Sequence, residues 1–134
     1  MKTLTLLAIL ALILSCNQKH PAEAKKPAIE RNQGNKWQVN QQMKPFILQG
    51  EKLVNDYITH NDTDYKTLAA NLSVQNDQLI ESCTMKGKSH DELHKWLHPH
   101  LQLVKKLEGA GQAESQEIVV GLEQSYRDYH QYFE

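Results

Sequence analysis

The sequence predicts an all-α fold, an up-down-up-down bundle of four helices. From Trp37 to the C-terminus, apolar residues recur at the 3.6-residue spacing of amphipathic helices in four stretches. Short polar or glycine-containing segments separate these stretches, and short connections favour antiparallel neighbours. No run of alternating apolar and polar residues predicts a strand.

The first two predicted helices each carry one apolar face. Asn61-Asp62 between them predicts a turn and a helix cap. Pro45 lies inside the first helical pattern and predicts a kink or an interruption. The apolar faces consist of Met43, Phe46, Ile47, Gly50, Leu53, Val54, Tyr57 and Ile58, and of Tyr65, Leu68, Ala69, Leu72, Leu79 and Ile80.

The third and fourth predicted helices follow a break at Gly87. Ser89 and Glu92 have the spacing of a capping box, in which both side chains satisfy free amides at a helix start. The third helix ends at Gly109 and contains Pro99, which predicts a second kink or interruption. The apolar faces consist of Leu93, Trp96, Leu97, Leu101, Val104 and Leu107, and of Ile118, Leu122, Tyr126, Tyr129 and Phe133.

The N-terminal sequence predicts an export signal. Lys2 supplies a positive charge, and residues 4–14 form an apolar run too short to cross a bilayer, which takes roughly 20 residues. The run ends in Ile13-Leu14-Ser15-Cys16, which resembles the lipobox of bacterial lipoproteins. In that family the cysteine is acylated and the signal is cut before it. The resemblance implies a signal peptide over residues 1–15 and lipidation of Cys16; an ordinary cleaved signal is the alternative.

The segment after the lipobox predicts a flexible tether. Residues 16–36 are polar, contain Pro21, Pro27 and Gly34, and lack hydrophobic periodicity. We therefore expect the helical bundle to occupy residues 37–134. A lipid on Cys16 would anchor it at the periplasmic or outer-membrane face of a bacterial cell envelope.

Charge and motifs exclude several classes of function. Fifteen Lys and Arg residues face 16 Asp and Glu residues, so no strong positive field attracts nucleic acid. No Gly-rich phosphate loop, Ser-centred hydrolase motif or nucleophile with a paired base is recognisable, and we predict that the protein is not an enzyme. A reactive Cys83 beside a histidine is the one catalytic arrangement left open.

The chemically richest segment is residues 83–100, CTMKGKSHDELHKWLHPH. It contains Cys83, Met85 and four of the seven histidines. Cys, Met and His bind copper and zinc. If Cys16 is lipidated, Cys83 has no cysteine partner within the chain. We expect Cys83, Met85, His90 and His94 to bind one of these metals.

Helical spacing supports part of this prediction. His90, His94 and His98 are spaced i, i+4, i+8 and share roughly one helix face, and a pair at i and i+4 can chelate one metal. We expect His98 and His100, which flank the predicted break at Pro99, to be less well placed.

The bundle topology gathers further ligands at the same end. In an up-and-down bundle, the start of helix one, the loop between helices two and three, and the end of helix four lie together. Met43 and His130 would therefore join the Cys, Met and His residues of the loop, whereas His60 belongs to the opposite end.

A second resemblance concerns haem. The chain end Tyr129-His130-Gln131-Tyr132-Phe133 resembles that of the small soluble b-type cytochromes of the bacterial periplasm. In that family of four-helix bundles, a methionine early in helix one and a histidine late in helix four bind haem. Met43 and His130 match those places, so the resemblance implies a haem-binding electron carrier. Covalent attachment is excluded because no CxxCH motif is present.

A third resemblance gives location and architecture without an activity. The stretches CTMKG, SHDELHKWLHPH and YHQYFE together resemble uncharacterised bacterial helical-bundle lipoproteins. We expect a lipid-anchored envelope protein that binds copper or zinc as a buffer or carrier, with the membrane and another envelope protein as partners. Two alternatives stay open, the haem-binding electron carrier and a non-catalytic bundle that binds a protein partner.

Overall fold

The computed structural model describes residues 28–134, and it confirms the all-α four-helix bundle. The predicted signal peptide, Cys16 and the first part of the tether lie outside the described residues. The four helices are α1 (Lys44–Thr59), α2 (Tyr65–Glu81), α3 (Gly87–Gly109) and α4 (Gln112–Tyr132). Each helix packs against the next, and α4 packs back against α1, which closes the ring.

The core comes from the apolar faces that the sequence predicts. The apolar residues that become almost completely inaccessible lie at helical spacing on all four helices, because only this spacing keeps one side of a helix turned inward. Ile58 and Ile80 are exceptions and are exposed. The largest wholly buried apolar side chains are Met43, Ile47, Leu72, Leu79, Leu93, Leu107, Leu122 and Phe133.

The start of the bundle differs from the prediction. Residues 37–43 precede α1 instead of forming its first turns, and Pro45 lies in the first turn, where a missing amide hydrogen costs nothing. The extended segment pairs with the C-terminus: the Trp37 amide donates to the Tyr132 carbonyl, and the Val39 amide donates to Glu134. These bonds take the place of the predicted helical ones.

The predicted caps are also corrected. Asp64, rather than Asn61-Asp62, caps α2 by accepting a hydrogen bond from the Thr67 amide at 3.0 Å. The turn itself is confirmed, since Asn61 has the left-handed φ of 51°. Helix α3 begins at Gly87 without a side-chain cap, so Ser89 and Glu92 form no capping box.

The tether that was expected to reach residue 36 is fixed to the bundle from Ala28 onward. We call residues 28–39 the strap. The Glu30 amide donates to Glu92 at 2.8 Å, and Lys95 donates to the Ala28 carbonyl at 3.1 Å. The Trp37 indole closes the strap on itself by donating to the Glu30 carbonyl at 2.6 Å.

Candidate functional site

Three histidines form a continuous line along α3. The Nε2 atoms of His90 and His94 are 3.0 Å apart, and Nδ1 of His94 is 2.9 Å from Nε2 of His98. Successive rings meet edge to face, with centroids 4.3 Å and 4.8 Å apart. The helical i, i+4, i+8 spacing produces this contact, because side chains one turn apart lie above one another. We call these three residues the histidine line.

The histidine line lies at the surface, beside a charge network that faces away from it. His98 is exposed, whereas His90 and His94 are half-buried. The ammonium groups of Lys88 and Lys95 both bind Glu92, at 2.9 Å and 2.8 Å. Residue 92 lies about 160° around the helix from the middle of the line. Both ammonium groups are therefore drawn away from the imidazoles.

Each neutral imidazole has one N–H and one bare nitrogen, and this limits what the line can bind. If His94 carries its proton on Nε2, it donates to His90 and accepts from His98; the other tautomer reverses both bonds. A metal ion binds only to an unprotonated ring nitrogen, so neutral His94 can bind an ion through only one of its two nitrogens. The line therefore offers two alternative pairs, His90–His94 and His94–His98, that share one ring.

The environment of His94 favours this neutral form. Burial lowers its pKa, and the neighbouring His90 and His98 lower it further, while Asp91 acts in the opposite direction. A bare imidazole nitrogen is the form that binds metal. His94, the central residue of the line, is thus kept in the neutral form that can bind a metal.

The nitrogen separations fit two ligands of one metal ion. Zinc–nitrogen bonds of about 2.1 Å at angles between about 90° and 109° place two ligand atoms about 3.0–3.4 Å apart. The observed separations of 3.0 Å and 2.9 Å are at or just below this range.

The other predicted metal ligands face a different environment. Cys83 is a free thiol, and both Cys83 and Met85 are half-buried and pack against the hydrophobic core. Their loop is held by Asn40, whose amide donates to the Ser82 carbonyl at 3.0 Å. In residues 28–134, no group of three or more His, Cys, Asp or Glu side chains converges on one metal position. Among the four predicted metal ligands, His90 and His94 are the two whose ring nitrogens lie 3.0 Å apart.

The two residues named for haem lie in contrasting places. Met43 is wholly buried in the core. His130 lies on the surface, where its Nε2 is 2.8 Å from a carboxylate oxygen of Glu51. A haem bound by both would have to displace core packing around Met43 and the hydrogen bond between His130 and Glu51. The geometry gives this hypothesis no support. His60 is exposed and follows directly after α1.

The sequence did not indicate that His100 belongs to the core. It is wholly buried, with Nδ1 3.0 Å from the hydroxyl oxygen of Ser125, and it stacks on Trp96. Burial lowers its pKa to about 4. No ion pair reaches His100 within the described part of the chain, and we interpret the group as a packed link between α3 and α4.

Comparison with protein-family models, with curated proteins and with solved structures gave no match. Among residues 28–134, no helix is both long enough and apolar enough to cross a membrane.

A surface pocket of about 230 Å³ lies between the strap, α3 and α4. Its charged side chains already have partners in the protein: Lys95 binds Glu92, and Asp128 accepts a hydrogen bond from Gln124. The pocket is lined by Ala28, Ile29, Lys95, Trp96, Pro99, Ser125, Asp128, Gln131 and Tyr132, none of which belongs to the histidine line.

Proposed function

We propose that this chain is a lipid-anchored protein of the bacterial cell envelope that binds zinc or copper through the histidine line and acts as a metal buffer or carrier. The observation that carries this proposal is the set of ring-nitrogen separations between His90, His94 and His98, 3.0 Å and 2.9 Å. The lipobox resemblance at Cys16 supports the location.

The donor type favours Zn(II) and Cu(II) over Cu(I). Imidazole nitrogen suits both divalent ions, and Cu(II) binds more tightly than Zn(II) in most nitrogen sites. Cu(I) prefers the sulfur of Cys83 and Met85, which are half-buried and pack against the hydrophobic core. We therefore assign metal binding to the histidines and no ligand role to Cys83 or Met85.

The open geometry suits an ion that is passed on. A pair of histidines fills two of the four positions around zinc, and structural zinc sites fill all four. Because His94 shares its ring between two pairs, an ion can exchange one histidine partner for the other. A site of this kind binds more weakly than a closed one and releases its ion more readily, as a buffer or carrier requires.

A competition titration tests the proposal. The purified protein is titrated with Zn(II) or Cu(II) against a chromophoric chelator at pH 7.5. We expect His94→Ala, which removes the shared ligand, to weaken binding by more than about tenfold, or roughly 1.4 kcal/mol. His60→Ala is the matched control, since His60 is an exposed histidine at the opposite end of the bundle. Equal affinity of the His94→Ala variant and the unmodified chain would overturn the proposal.

The hypothesis of a protein-binding bundle has less support. The most exposed large apolar residues, Leu48, Val74 and Val120, lie on three different helices. Isolated apolar side chains of this kind are normal on protein surfaces. That hypothesis stays a prediction.

A further inference from the structure

The surface pocket between the strap, α3 and α4 is large enough for a small molecule. Its volume is about 230 Å³. Sites for drug-sized ligands usually measure about 300–1,000 Å³, so the occupant of this pocket would be smaller than these ligands.

The two charged side chains in the pocket wall differ in how their charges are balanced. The Lys95 ammonium group donates to the Glu92 carboxylate at 2.8 Å, which neutralises it. Asp128 accepts a hydrogen bond from the side-chain amide of Gln124 at 2.8 Å, and an amide carries no charge. In the part of the chain that the structure describes, no Lys, Arg or His side chain forms an ion pair with Asp128. The pocket therefore retains one negative charge.

Apolar side chains form another part of the wall. Ile29 comes from the strap, Trp96 and Pro99 come from α3, and Tyr132 comes from α4. Trp96 belongs to the hydrophobic core, and Ile29 and Tyr132 pack against it. Contact with these side chains would remove the apolar part of a ligand from water, which is favourable.

The polar part of the wall offers hydrogen-bond acceptors. Gln124 binds Oδ1 of Asp128, so Oδ2 can accept a hydrogen bond from a ligand. Gln131, which also lines the pocket, is exposed and has an amide oxygen that can accept. An ammonium group has three N–H donors, and solvent can take the donor that the two side chains leave.

We propose that this pocket binds a small organic cation, a primary alkylammonium ion whose charged group pairs with Asp128 and whose carbon chain lies against Ile29 and Pro99. An anion of the same size would meet the negative charge of Asp128 with Lys95 already neutralised. A neutral molecule would lose the ion pair. The site shares no residue with the histidine line, so it does not depend on the proposed function.

Three matched probes test the assignment on the purified chain. n-Butylammonium, n-butanol and butyrate have similar carbon frameworks and differ in charge. Each is titrated into nitrogen-15-labelled protein at constant ionic strength, and backbone amide shifts measure binding. We expect n-butylammonium to shift the amides of Ser125, Asp128 and Gln131 and to bind at least about threefold more tightly than n-butanol, as the loss of a partly exposed ion pair implies. Butyrate should leave these amides in place.

Two variants separate the charge from the apolar contact. Asp128→Asn retains an acceptor oxygen and removes the charge, so its affinity for n-butylammonium should fall at least about threefold. Asp77→Asn, at an exposed position on α2, is the control and should bind as the unmodified chain does. Ile29→Ala removes part of the apolar wall and should weaken the binding of both n-butylammonium and n-butanol.

Several results would overturn the proposal. These are absence of n-butylammonium binding, equal binding of n-butanol and n-butylammonium, amide shifts confined to residues outside the pocket, and unchanged affinity in Asp128→Asn. The comparison of probes on the unmodified chain requires no variant to fold. Amide spectra without a probe show whether each variant retains the fold.

Discussion

The hydroxyl of Tyr126 on α4 occupies the space in which a side chain at Gly50 on α1 would lie. Gly50 is buried in the middle of α1, where glycine is otherwise unfavourable. The absence of a side chain lets α4 approach α1 closely and leaves room for the tyrosine. This contact joins the first and last helices of the ring.

We therefore predict that Gly50→Ala destabilises the protein. An added methyl group would overlap the Tyr126 hydroxyl, and overpacking of a core typically costs about 1–3 kcal/mol. Urea unfolding measures the loss. Gly109→Ala is the control, because a methyl group there meets no atom within 4 Å. Combining Gly50→Ala with Tyr126→Phe should restore part of the stability, and a double variant less stable than Gly50→Ala would contradict this explanation.

The buried carboxylate of Glu92 holds the strap on α3. Its side chain has no solvent exposure, and it binds Lys88, Lys95 and the Glu30 amide. Burial raises the pKa of Glu92, but the hydrogen bonds from these three groups outweigh it and lower the pKa to about 2. The carboxylate is therefore ionised at all ordinary pH values.

We predict that Glu92→Gln loosens the strap. The amide keeps one acceptor oxygen but loses the charge that holds both lysines, and breaking a buried ion pair is costly. Trypsin can cleave after Arg31 and Lys36, so limited trypsinolysis should cut the variant in the strap faster than the unmodified chain. Glu117→Gln, at an exposed position on α4, should leave the rate unchanged. Equal cleavage of all three proteins would refute the role of Glu92.

Buried His100 should make stability depend on pH. Its pKa is about 4 in the folded protein, against an ordinary value of 6.5, so the unfolded chain takes up a proton that the folded chain does not. The stabilising contribution is complete above pH 6.5 and is lost as the pH falls toward 4. For this group alone we expect a loss of about 2 kcal/mol between pH 7 and pH 5.

Urea unfolding of the unmodified chain and of His100→Gln at these two pH values measures this contribution. Glutamine has no proton to gain, so the variant should lose about 2 kcal/mol less than the unmodified chain on acidification. An identical pH dependence would assign the loss to other groups.

Metal binding should also weaken in acid. A histidine nitrogen binds a metal only when it is unprotonated, so protons compete with the ion. Because burial and the two neighbouring histidines lower the pKa of His94, its own protonation begins at a lower pH than that of an ordinary histidine. We expect the affinity for Zn(II), measured by chelator competition, to hold from pH 8 to pH 7 and to fall steeply below about pH 6. Affinity that stays constant down to pH 5 would exclude histidine ligands.

The helices were predictable because burial leaves a periodic trace in the sequence. Residues such as Leu122 and Tyr126 recur once per turn, and the structure buries both. The strap left no such trace, since the hydrogen bond between Glu30 and Glu92 joins residues 62 positions apart. Local pattern instead suggested that Glu92 caps a helix.

The candidate site was only partly predictable for a related reason. His90 and His94 follow from helical spacing, but the kink or interruption predicted at Pro99 led us to expect His98 to be less well placed. The helix instead continues through Pro99, which removes one hydrogen bond, and buried Trp96 and His100 hold the turn on both sides. Cys83 and Met85 are near the histidines in sequence, but closeness along the chain does not determine the direction in which a loop side chain packs.

The most direct measurement is a nitrogen-15 spectrum of the histidine side chains during titration with Zn(II). Each of the seven histidines gives its own ring-nitrogen signals. We predict that the ring nitrogens of His94 and of at least one neighbour in the histidine line shift on binding, while those of His60, His100 and His130 stay in place. Shifts confined to His130, or no shift at any position in the line, would contradict the central claim.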